Sequence, residues 1–128
     1  GELVQARKHL GLNPPGPVQA AMAAALADDG HVAEQRERYR ARRAALLPAL
    51  ESAGFRIDES RAGLYLWATR GEDAWDTVAW LAESGILVTP GTFYGDAGAR
   101  HVRIALSAPD AAIASAVRRL EDSGKAFR

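Results

Sequence analysis

The alternation of apolar and polar residues changes character along the chain. Up to about residue 54 the apolar positions recur at helical spacing; beyond it they alternate like strands or fall into short helical blocks. Residues 2–10 read as a helix ending at Gly11. "NPPGP" (13–17) is a stiff joint, because prolines bias the preceding residues away from helix and Pro17 can open a new one. Residues 18–29 then read as helix, with Gly30 as its stop. A longer helix follows over 31–53, its inward stripe being Val32, Tyr39, Leu46, Leu50 and Ala53, with Arg43 on the same side. Glu34, Arg36, Glu37, Arg38, Arg40 and Arg42 form a solvated flank of mixed sign. Pro48 is expected to bend the last turns and Gly54 to end them.

The second half reads as β-β-α-β-β-α. "FRI" (55–57) and "GLYLWAT" (63–69) flank a hairpin connection. Residues 71–85 form an amphipathic helix with Trp75, Val78, Ala79 and Leu81 inward. "ILVTPG" (86–91) is a short strand, 92–99 an irregular loop, and "HVRIALS" (101–107) the last strand. Residues 108–124 close the chain as a helix, with Ser107 and Asp110 as a capping box and Ile113, Ala116, Val117 and Leu120 buried. The fold class is α+β: a two-layer domain with a mostly antiparallel sheet of four strands, helices packed on one face, and long linker helices in front. Residues 1–54 are the linker helices and 55–128 the sheet and its helices, together one domain.

This strand pattern raises a question about Arg103. Val102, Ile104 and Leu106 belong to one face of the last strand, so Arg103 belongs to the other, away from the helices. A solvated strand residue would explain it. So would a carboxylate ligand, which a guanidinium holds through two parallel hydrogen bonds.

Composition removes several alternatives. The 128 residues carry 16 basic and 16 acidic side chains, a net charge of zero, which argues against a nucleic-acid binder. There is no cysteine, hence no disulfide framework or thiolate metal site. No stretch is long enough to span a membrane. The first residues read as the middle of a longer polypeptide. Only Lys8 and Lys125 are lysines, so a lysine-dependent chemistry has two candidates. The three histidines, His9, His31 and His101, sit in unrelated contexts. They match neither a hydrolase triad nor a metal motif, and no metal ligands are assigned. Gly91, Gly95 and Gly98 lack the spacing and the lysine of a phosphate loop and read as a tight turn.

"AGLYLWAT" (62–69), "GILVTPGTFYG" (85–95) and "HVRIALS" (101–107), in this order, resemble the C-terminal part of class I/II pyridoxal-phosphate aminotransferases of fold type I. "GPVQAAMAAAL" (16–26) and "QRERYRARRAALLPAL" (35–50) resemble the helices leading into their small domain. The subgroup most similar is the actinobacterial N-succinyldiaminopimelate aminotransferases of lysine biosynthesis. The resemblance implies that Arg103 grips the substrate α-carboxylate and that Gly63, Tyr65, Phe93 and Tyr94 border the substrate site. It implies a cytoplasmic, homodimeric parent that moves an amino group between an amino acid and a 2-oxo acid, here N-succinyl-LL-2,6-diaminopimelate with glutamate and 2-oxoglutarate. Alternatives are an aspartate, alanine or LL-diaminopimelate aminotransferase, or the aminotransferase-like effector domain of a transcription regulator. Relatives hold pyridoxal phosphate as a Schiff base to a lysine in the large domain. Neither Lys8 nor Lys125 has that lysine's context, so cofactor-binding and catalytic residues are expected outside this chain, which alone should be inactive.

Overall fold

Strand and helix boundaries follow local chemistry closely in the computed structural model, which describes residues 1–125. Three helices come first: α1 (Glu2–His9), α2 (Gly16–Leu26) and α3 (Gly30–Ser52). Strands β1 (Arg56–Asp58) and β2 (Tyr65–Thr69) follow, then α4 (Ala74–Glu83), β3 (Thr89–Pro90), β4 (Val102–Ala105) and α5 (Asp110–Lys125). Two short 3-10 turns, Gly91–Tyr94 and Asp96–Gly98, lie between β3 and β4.

The chain divides into two compact units, Gly1–Gln35 and Arg36–Arg128. In the first, α1 and α2 bury no residue of their own, and Val32, expected on an inward stripe, is exposed. Gly30 does not stop α2, as the pattern suggested. The helix ends at Leu26, and Asp28 Oδ1 accepts a hydrogen bond from the Gly30 amide at 2.8 Å. Gly30 therefore opens α3, with a capping aspartate just before it.

In the second unit the four strands form an antiparallel sheet in the order β1-β2-β4-β3. Alternation places Leu66, Ala68, Val102 and Ile104 on one face, all buried. Leu46, Ala49 and Leu50 of α3, Leu81 of α4, and Ile113 and Leu120 of α5 cover that face and complete the core with Leu106. No helix among the described residues is long and apolar enough to cross a membrane.

Four further expectations need correction. Trp75 and Ala79 are exposed; α4 buries Ala74, Thr77 and Leu81, the set spaced three, four and seven residues apart. Arg42 is not a solvated flank residue. It stands one turn before Leu46, is 13% exposed, and donates through Nε to Asp110 Oδ1 at 2.6 Å and through Nη1 to the Leu106 carbonyl at 2.9 Å. Asp110, expected to face Ser107 in a capping box, thus faces α3. The strand expected over 86–91 shrinks to Thr89–Pro90. The Gly85 and Ile86 amides close α4 on the carbonyls of Ala82 (2.8 Å) and Leu81 (2.9 Å), with Gly85 at φ +68°. An edge strand that includes Pro90 then has little ladder left.

Candidate functional site

The sheet face opposite the core carries one continuous row of paired residues: Asp58 beside Trp67, Trp67 beside Arg103, Arg103 beside Thr89. Each strand places one member there because the pleat period of two sends its neighbours to the core. Arg103 is half-buried while Val102 and Ile104 beside it are buried, so the guanidinium points away from the helices.

Two aromatic rings flank Arg103. Its Cζ lies 5.7 Å from the ring centre of Tyr65 and 5.4 Å from that of Tyr94, within cation–π range. Its Nε is buried and has no hydrogen-bond partner among the described residues. Among the described residues no carboxylate pairs with it. A cation left with unused donors beside two half-exposed rings is a ready ligand for an anion from outside.

Tyr94 reaches this place through a tight loop. The Gly91 amide donates to the His101 carbonyl at 2.7 Å, continuing the β3–β4 ladder. A Cβ on Gly91 would stand 2.6 Å from that carbonyl oxygen and 2.9 Å from Trp67 Cη2, and one on Gly98 would overlap the Gly91 carbonyl. Both positions therefore demand glycine because of close backbone approach.

The remaining residues singled out from sequence make other contacts. Phe93 meets Trp75 edge to face at 5.9 Å. Gly63 turns the chain ahead of β2 at φ +94°, and its carbonyl accepts from Arg43 Nη2 at 2.7 Å. The structure thus brings Arg103, Tyr65 and Tyr94 together and sets Gly63 and Phe93 in turn and surface contacts.

Three further residues join the face without having been singled out. His101 Nε2 donates to Asp58 Oδ2 at 2.8 Å, and the imidazole stacks on Trp67 with ring centres 5.3 Å apart and planes within 8°. Trp67 turns its edge to Tyr94 at 5.8 Å and 82°. The hydrogen bond from His101 holds the Asp58 carboxyl below the usual aspartate value, opposed by desolvation and assisted by Arg56, whose Nε is 3.0 Å from Oδ1. Their sequence signal was faint but present: Trp67 lies two residues from Tyr65, and His101 two from Arg103, each on the same strand face.

The four strands carry no lysine, and Lys8 is exposed on α1. Among the described residues no cluster of three or more His, Cys, Asp or Glu could hold a metal ion. The strands of this face thus carry no amine for a Schiff base with pyridoxal phosphate.

Residues 3–120 match the family Aminotransferase class I and II. The chain is 66% identical over 119 residues to a probable aminotransferase of Mycobacterium tuberculosis (strain H37Rv), covering 93% of this chain and 28% of that protein. It is 59% identical over 120 residues to the 4-dedimethylamino-4-oxo-anhydrotetracycline transaminase of Streptomyces rimosus, covering 94% of this chain and 33% of that one. Among solved structures it superimposes on N-succinyldiaminopimelate aminotransferase from Mycobacterium tuberculosis with a TM-score of 0.75 and 28% identity, over 93% of this chain and 33% of that chain. The chain thus spans a third or less of the length of these relatives.

Proposed function

The chain belongs to the class I and II aminotransferases, and from that premise we propose that it is the substrate-gripping small domain of a transaminating enzyme, with Arg103 as the ligand of the substrate α-carboxylate. The observation that carries this reading is the state of Arg103: half-buried on the open sheet face, framed by Tyr65 and Tyr94, with a buried Nε that no group among the described residues satisfies. A bidentate hold on the carboxylate fixes the orientation of the adjacent Cα–H, and fixed orientation lowers the barrier to chemistry at that carbon. Gly63 and Phe93 act at the periphery, shaping the loops from which the rings project.

Pyridoxal phosphate supplies the electron sink in such transamination. Its lysine and phosphate ligands lie outside this chain, in the large domain of a homodimeric parent. As the amino donor we favour N-succinyl-LL-2,6-diaminopimelate, with 2-oxoglutarate and glutamate as the second pair. The motifs "AGLYLWAT" and "PGTFYG" and the likeness to the Mycobacterium tuberculosis enzyme support that choice. The 59% identity to a tetracycline-pathway transaminase favours a second reading, in which the acceptor is a bulky polycyclic ketone. Rates of the full-length enzyme with the two acceptor classes separate them.

The test of the grip is Arg103→Ala in the full-length enzyme, assayed with both amino donor and 2-oxo acid. The variant should lose kcat/KM for both, because each presents the same carboxylate, while the absorbance of the lysine-bound cofactor persists. Near wild-type efficiency would overturn the assignment. Loss of the cofactor band would place Arg103 in cofactor binding or folding instead.

A further inference from the structure

Trp67 is the direct cross-strand partner of Arg103. Such partners stand about 4.5–5.5 Å apart at Cβ, and indole is the best aromatic ring for a guanidinium. Yet among the described residues the rings over Arg103 Cζ are those of Tyr65 and Tyr94. The indole of Trp67 lies flat against His101 instead, 5.3 Å between centres and 8° between planes. Its far edge fits beside Gly91, where a Cβ would come within 2.9 Å of Cη2. His101 is anchored in turn: its side chain is 16% exposed, and Nε2 donates to Asp58 Oδ2 at 2.8 Å. Asp58 is itself the partner of Trp67 on the other ladder. The indole therefore has a charged neighbour on each side, and the imidazole anchored on one of them holds it flat.

We propose that His101, anchored by Asp58, is a positioning residue that stacks Trp67 away from Arg103 and so leaves the guanidinium open to a carboxylate. The proposal rests on the reading of Arg103 as the carboxylate grip. Without a ring at position 101 the indole has lost its stacking surface. Its broad terminal torsion lets it swing onto the neighbouring cation. There it crowds the in-plane N–H donors through which a carboxylate binds, weakening binding in ground state and transition state alike. Such a loss of uniform binding raises KM and leaves kcat in place.

Four variants of the full-length holoenzyme test this. His101→Gln retains a donor for Asp58, and with it the local fold, but has no ring. It should raise KM for both the amino donor and the 2-oxo acid by roughly three- to thirtyfold, the range of a competing cation–π contact, with kcat close to wild type. His101→Phe retains the ring without the bond to Asp58, so its KM should lie between those of wild type and His101→Gln, and a KM at or above that of His101→Gln overturns the proposal. The double variant His101→Gln/Trp67→Leu removes the competing indole and should bring KM back down, although it removes still more packing. A purely structural role predicts the opposite, a double variant worse than His101→Gln alone. A double variant whose KM equals or exceeds that of His101→Gln overturns the proposal, as does a His101→Gln enzyme with unchanged KM. Arg103→Ala, measured alongside, separates the two layers. If it lowers kcat/KM while His101→Gln leaves KM unchanged, only the positioning role fails. If it too leaves kcat/KM unchanged, the grip itself fails.

Discussion

Gly91 and Gly98 touch backbone to backbone: a Cβ on Gly98 would overlap the carbonyl oxygen of Gly91. That contact folds the segment from β3 to β4 into two successive 3-10 turns and sets Tyr94 beside Arg103. Gly98→Ala should therefore destabilise the full-length enzyme by about 1–3 kcal/mol, as overpacked interiors do. It should also raise KM, because Tyr94 is displaced. Urea unfolding together with steady-state kinetics checks both. A variant of unchanged stability would show that the loop has room the backbone contact denies.

Arg103→Lys keeps one charge but loses the planar fork. The expected result lies between wild type and Arg103→Ala. The alanine variant loses about 2–5 kcal/mol in kcat/KM, the range for breaking a desolvated charge pair. The lysine variant recovers part of that loss, and the ratio of recovered to lost efficiency should be the same for amino donor and 2-oxo acid. Kinetics with both substrates measures it, and a lysine variant equal to wild type would mean that charge alone suffices.

The Asp58 carboxyl is held below its usual value, chiefly by the hydrogen bond from His101. A depressed carboxyl contributes stability that is fully present above the unfolded-state pKa, about 3.9. It is lost as pH falls through the lower folded-state value. Asp58→Asn should thus be less stable than wild type at neutral pH, and the two should converge below the ordinary aspartate range. Urea midpoints from pH 7 down to pH 2 test this. A constant difference across that range would remove the carboxylate's charge from the account.

The isolated chain should not acquire a specific pyridoxal phosphate adduct, because its strands carry no lysine and Lys8 is an exposed helix residue. Borohydride reduction after incubation with the cofactor, followed by peptide mapping, checks this. A stoichiometric adduct on Lys8 or Lys125 would contradict it.

Much of the fold was written in local pattern. The alternation in "YLWAT" and "VRIA" settled which strand residues meet the helices, since the pleat leaves no other choice once one face is apolar. That alternation also placed Arg103 opposite the core. Local pattern failed where a distant group competed for the same residue. Arg42 looked solvated because its partners, Asp110 and the Leu106 carbonyl, lie 68 and 64 residues away. Trp75 looked inward because a large apolar ring on a helix usually is; the neighbouring 74–77–81 stripe had already filled the space against the sheet.

Strand faces, the α+β order and the family resemblance were legible before folding, because periodicity and motif spacing are properties of neighbouring residues. The surroundings of Arg103 were not. The row from Asp58 through Trp67 to Arg103 and Thr89 depends on which strands pair and in which register. The order β1-β2-β4-β3 inserts the last strand between two earlier ones, an arrangement that no local window contains. His101 reaches Asp58 for the same reason, across 43 residues of chain, and the two meet because burying the apolar faces of β2 and β4 under the helices brings their outer faces into line.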